Sequence, residues 1–79
     1  MNATVITKQS TENKPFISRV FFYNKERNVS TLVVCGHNTL HDAWNAYFLN
    51  TKTHKKEQPV ECPIACDVID ENGVELYHS

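Results

Sequence analysis

Apolar residues are spread unevenly along the chain, and their spacing changes three times. Residues 1–15 are polar apart from Ala3, Val5 and Ile6. The run Gln9-Ser10-Thr11-Glu12-Asn13-Lys14-Pro15 reads as a loop. A short strand over about 3–8 is an option for this segment, as is a frayed terminus. Phe16 to Tyr23 is then dense in aromatic and β-branched residues and predicts a strand. Asn24 to Asn28 forms a polar break, Val29 to Cys35 a second β-branched run, and Gly36 closes it. Two such runs around a short polar loop predict an antiparallel hairpin.

The period then lengthens. Leu40, Ala43, Trp44, Tyr47 and Phe48 follow helical spacing and fall in one arc, predicted to pack on a sheet. Thr39 is placed to cap the first free amides, with Asp42 three residues on. The helix is expected to fade near Asn50 or Lys52, with Thr51 to Lys56 as a basic exit and Pro59 barring a longer helix. Val60 to Ile69 alternates as a third strand. Simple alternation puts Cys62, Ile64, Cys66 and Val68 on one face and Glu61, Pro63, Ala65, Asp67 and Ile69 on the other. Pro63 cannot donate to a ladder, so an exposed edge is expected near the start of this strand. Asp70-Glu71-Asn72-Gly73 is a turn signal, and Val74 to Tyr77 completes a second hairpin. The fold class is therefore α+β. A polar segment over 1–15 precedes a single domain over 16–79. That domain is a small antiparallel sheet in ββαββ order, with one amphipathic helix on one face and an optional extra N-terminal strand.

One helix covers one face of a sheet, yet the first hairpin is apolar on both. Strand 16–23 shows Phe16, Val20 and Phe22 on one side and Ile17, Phe21 and Tyr23 on the other. Strand 29–35 shows Leu32 and Val34 against Val29, Val33 and Cys35. A half-solvated antiparallel strand alternates more cleanly. Something is thus expected over the second face: the chain's own ends, a protein partner, a second copy, or a nucleic-acid strand. The last draws on Arg19, Phe21 and Tyr23 at two-residue spacing, where bases stack on rings while a cation tracks phosphate. The chain lacks the second helix and the glycine-rich aromatic motif of RNA-recognition sheets.

Length and composition narrow the classes. The chain has 79 residues, 41% of them hydrophobic and 22% charged, which fits one small globular domain. It has no apolar run long enough for a membrane helix and no signal-peptide pattern at its start, so a cytoplasmic protein is expected. A protein of bacteriophage or mobile-element type is expected on size alone. The net charge of −1 conceals segregation: all eight Lys and Arg precede residue 57, and six of the nine acids follow residue 56. Blocks of this kind are often solvated faces, and they also steer association.

Three cysteines without an export signal argue against a disulfide framework. Cys35, His37, His41, His54, Cys62, Cys66 and His78 supply metal-binding atoms. However, the Cys62–Cys66 spacing in an extended strand spans about 13 Å, too far for one ion unless the strand bends. Core cysteine is the simpler reading, and no metal or cofactor is expected. Cys35 near His37 or His41 lacks the electropositive, exposed setting of a thiolate nucleophile. No enzymatic role is expected. The reading is a binding protein (adaptor, regulator or inhibitor) making protein contacts through Asp67, Asp70, Glu71 and Glu75 and through Arg19, Phe21 and Tyr23. A homodimer is one form such contact can take. The alternative is nucleic-acid binding by Arg19, Phe21 and Tyr23 with a lysine-rich loop of Lys52, Lys55 and Lys56.

Overall fold

The computed structural model describes residues 4–79. Five strands and one helix follow in the order β1 (Thr4–Ser10), β2 (Phe16–Asn24), β3 (Val29–His37), α1 (Leu40–Glu57), β4 (Cys62–Asp70) and β5 (Glu75–His78). They form a single sheet in the order β1-β3-β2-β4-β5, and α1 packs across β2, β3 and β4. The α+β class and the single helix over one face match the sequence reading. The sheet itself is mixed rather than purely antiparallel: β1 lies parallel to β3, while the other three pairings are antiparallel.

That parallel edge follows from the 11–15 connection. β1 and β2 flank β3 on either side, so the chain must cross the end of β3 to pass between them. Glu12 and Asn13 take left-handed conformations in this crossing, with φ of 46° and 59°. Gly36 on β3 leaves room for it. A Cβ there would collide with the Thr11 carbonyl oxygen and come within 2.8 Å of two Lys14 side-chain carbons. The optional N-terminal strand thus exists, but it extends the sheet instead of folding over its second face.

Residues on the helix side of the central strands are Ser18, Val20 and Phe22 with their partners Cys35, Val33 and Thr31. Val20, Phe22 and Cys66 form the core, with Val33 and Tyr47 packed against it. The helix seats Ala43, Ala46 and His54 on this core. The packed arc is rotated by roughly 75° from the one that periodicity predicts. Leu40, Trp44 and Phe48 are left 36%, 50% and 70% exposed. Two alanines let the helix axis come close to Phe22 and Val20, where a helix seated on Trp44 and Phe48 would stand off.

Thr39 caps the helix as expected, its hydroxyl accepting from the Asp42 amide at 3.1 Å. The far end differs from expectation. The helix runs to Glu57, because Lys and Glu are good helix formers and no breaker occurs before Pro59. The expected lysine-rich loop is therefore the last turns of α1.

In β4 the register slips between Phe21 and Phe22: Phe21 faces Ala65 and Phe22 faces Pro63. Ile64 is the extra residue of a β-bulge. The bulge overturns the expected shared face of Cys62, Ile64, Cys66 and Val68. Cys66 and Val68 stay buried on the helix side, while Cys62 pairs with Tyr23 on the opposite side and is exposed. β5 pairs only with residues 67–69 of β4. The outer edge around Pro63 is therefore left open by β5, as proline requires.

Candidate functional site

The candidate interface is the face of the sheet that α1 does not cover. Strand alternation puts Ile17, Arg19, Phe21 and Tyr23 of β2 there, with Val34 and Leu32 of β3 and Ile69, Asp67 and Ala65 of β4 as their neighbours. Ile17, Phe21, Tyr23, Leu32 and Ile69 are half-buried, and Val34 is 8% exposed. β1 and β5 sit at the two sheet edges, so neither terminal strand covers this face. A hollow of about 280 Å³ opens here among Arg19, Phe21, Leu32, Ala65, Asp67 and His78.

Arg19 and Asp67 pair across β2 and β4. The guanidinium donates from Nε to Asp67 Oδ1 at 2.7 Å and from Nη2 to Oδ2 at 2.5 Å. This two-point bond raises the Arg19 pKa above its ordinary value. Burial opposes the rise, and the charges of Asp67 and Glu75 add to it. The acidic residues named from sequence thus divide. Asp67 and Glu75 lie on this face around Arg19. Asp70 and Glu71 lie at the β4–β5 turn, where Asp70 Oδ1 accepts from the Asn72 and Val74 amides and helps hold the turn. Tyr23, at the far end of β2, donates to Asn28 Oδ1 at 3.0 Å.

The residues of the nucleic-acid alternative fall on two layers. Arg19, Phe21 and Tyr23 lie on the open sheet face, while Lys52, Lys55 and Lys56 are exposed on the helix behind the sheet. Arg19 is also occupied by Asp67.

The cysteines and histidines are dispersed. Cys35 is half-buried, Cys62 exposed and Cys66 buried, all as free thiols. Burial, and then Asp67, push the Cys66 thiol up, which keeps it protonated and unreactive. Among the described residues no group of three or more His, Cys, Asp or Glu is placed to share a metal ion.

Sequence reasoning missed one polar cluster. His54 falls within the expected basic exit and Glu61 on one face of the expected third strand, yet both are buried, 5% and 7% exposed. His54 Nε2 and Glu61 Oε1 are 2.9 Å apart, the Thr31 hydroxyl donates to the same oxygen at 3.3 Å, and His54 stacks on Phe22 at 3.8 Å between ring centroids. The cluster ties the last turns of α1 to the start of β4. The one signal in the sequence was position: His54 continues the Ala43-Ala46-Tyr47-Asn50 arc at helical spacing.

No family of known proteins, no curated protein and no solved structure matches the chain. Among the described residues no helix is long and apolar enough to cross a membrane.

Proposed function

We propose that the protein is a small non-enzymatic binding protein, of the adaptor, regulator or inhibitor kind, whose open sheet face receives another protein. The observation that carries this reading is an apolar sheet face with no element of the described chain over it. The centre of that face holds a hollow large enough for a partner's side chain. Hot spots favour aromatic and arginine anchors beside such hollows, and Phe21 and Arg19 flank this one. Glu75 at the edge, with Asp70 and Glu71 beyond it, supplies an acidic rim that favours a partner with basic residues around its apolar centre. Three free thiols agree with a reducing, cytoplasmic setting.

The test is co-purification from the native host with tagged wild type and a Phe21→Asp variant. The variant is first checked for an unchanged circular-dichroism spectrum. A stoichiometric protein partner retained by wild type and lost by the variant is the expected result. A partner held equally by both overturns the reading, as does tight binding to a random oligonucleotide at low salt.

A further inference from the structure

Three exposed large apolar side chains of the helix lie on the opposite side of the molecule from the proposed partner face. Leu40, Trp44 and Phe48 form an i, i+4, i+8 ridge on α1. Tyr77 of β5 meets Trp44 edge-on at 5.9 Å, and a shallow hollow of about 220 Å³ lies between Trp44, Asn45, Phe48 and Tyr77. A tryptophan and a phenylalanine half or more exposed, one turn apart, are a hot-spot pattern.

Charge says what covers them. The helix starts at the end of the sheet where β4 turns into β5, and it finishes at the end where β2 turns into β3. Asp42, Asp70 and Glu71 therefore gather at one end. Lys52, Lys55 and Lys56 gather at the other, joined there by Lys25 and Arg27. Lys14 dilutes the acidic end, and Glu26, Glu57 and the buried Glu61 dilute the basic one, without reversing either. The segregation seen in the sequence thus becomes a charge dipole along α1, about 27 Å long for 18 residues.

We infer that the helix ridge is the interface of a two-fold homodimer in which the two helices run antiparallel. A two-fold axis between Trp44 and Phe48 sets each Trp44 against the other copy's Phe48. It also lays the lysines of each copy over the acidic end of the other, twice. An isologous interface requires this self-complementarity, and the dipole supplies it. A parallel pairing would set like ends together.

The test is sedimentation equilibrium on the full chain over a wide concentration range. At low salt the mass rises from 9.1 kDa toward twice that value, and added salt weakens the association. Phe48→Asp weakens it on the order of tenfold or more, while Phe21→Asp on the sheet face leaves it intact. Two charge-reversed proteins give the sharper readout: one carries Lys52→Glu, Lys55→Glu and Lys56→Glu, the other Asp70→Lys and Glu71→Lys. Each alone is monomeric, and mixing them restores a dimer. A wild type that stays monomeric at every concentration overturns the inference, whether or not it binds anionic vesicles. So does a dimer broken by Phe21→Asp but not by Phe48→Asp, or a charge-reversed pair that does not recombine.

Discussion

Gly36→Ala tests the crossing that makes the sheet mixed. Gly36 is not at a positive φ, so nothing in its own backbone excludes alanine. A β-carbon in mid-strand should even help, since glycine there costs about 0.5–1 kcal/mol relative to alanine. Against this stands the Thr11 carbonyl oxygen, which the new methyl would overlap, together with the Lys14 side chain. The lysine can swing aside. The carbonyl cannot do so freely, because it accepts from the Lys14 amide at 3.0 Å inside a turn that already holds two left-handed residues. Overpacking against a fixed group costs about 1–3 kcal/mol. The clash therefore matches or outweighs the strand gain, leaving a net loss of up to about 2.5 kcal/mol, with a mid-range value of about 1 kcal/mol. In a domain of this size that lowers Tm by several degrees, about 4–8 °C per kcal/mol. Thermal unfolding by circular dichroism measures the fall, and hydrogen exchange locates it. The β1 amides should lose protection before those of β2, because the crossing anchors β1. A variant with raised Tm and intact β1 protection would refute the account of Gly36 and of the parallel edge.

Glu61→Ala leaves the Thr31 hydroxyl and His54 Nε2 buried without their acceptor. Leaving a buried polar group without its hydrogen-bond partner costs about 1–3 kcal/mol. Urea unfolding should show a loss of that order, with Glu61→Gln well below it because the amide oxygen still accepts; equal losses would argue that charge alone matters. His37 gives a pH signature. Burial holds its pKa below the ordinary 6.5, against the pull of Asp42, and Ser18 Oγ lies 2.9 Å from its Nε2. The unfolded chain therefore binds the proton first, so this contribution is complete above about pH 6.5 and is lost as pH falls toward the folded-state value. A His37→Gln variant should show a shallower decline of Tm below pH 6.5 than wild type, and an identical slope in both would exclude His37 as the source.

Local chemistry made most of the elements legible. The Thr39 cap, the turn at Asp70 to Gly73 and the β-branched runs of β2 and β3 each have a short-range cause, and each appears where the residues put it. What depended on three-dimensional fit was not legible. Periodicity identified a helix but could not choose its buried side, because Leu40, Trp44 and Phe48 and the Ala43–Ala46–His54 set are both helical stripes. The choice fell to fit: Ala43 and Ala46 let the helix come close to the sheet, and that closeness brings the His54 ring flat onto Phe22. The face of Cys62 was misread because alternation presumes no bulge, and the slip at Ile64 arises from pairing with β2 around Pro63. The open sheet face was legible in outline, since Ile17, Phe21 and Tyr23 alternate with the core residues. The Arg19–Asp67 pairing across it required the strand order.

The same question of fit bears on the dimer. A 79-residue chain buries only about 60% of its unfolded surface, so each large apolar side chain left outside weighs on a small total. Fully burying a phenylalanine contributes about 1.5–3 kcal/mol, as much as a cap or a surface ion pair or more. Phe48 at 70% exposure and Trp44 at 50% forgo much of that contribution in the monomer. The monomer has no simple means to recover it. Rotating α1 to bury the ridge would lift Ala43 and Ala46 off the core and withdraw His54 from Phe22, Thr31 and Glu61. The buried polar cluster thus locks the helix in the orientation that presents the aromatic ridge. Its loss in Glu61→Ala should therefore weaken self-association as well as stability, a coupling that a ridge serving only as inert surface would not produce.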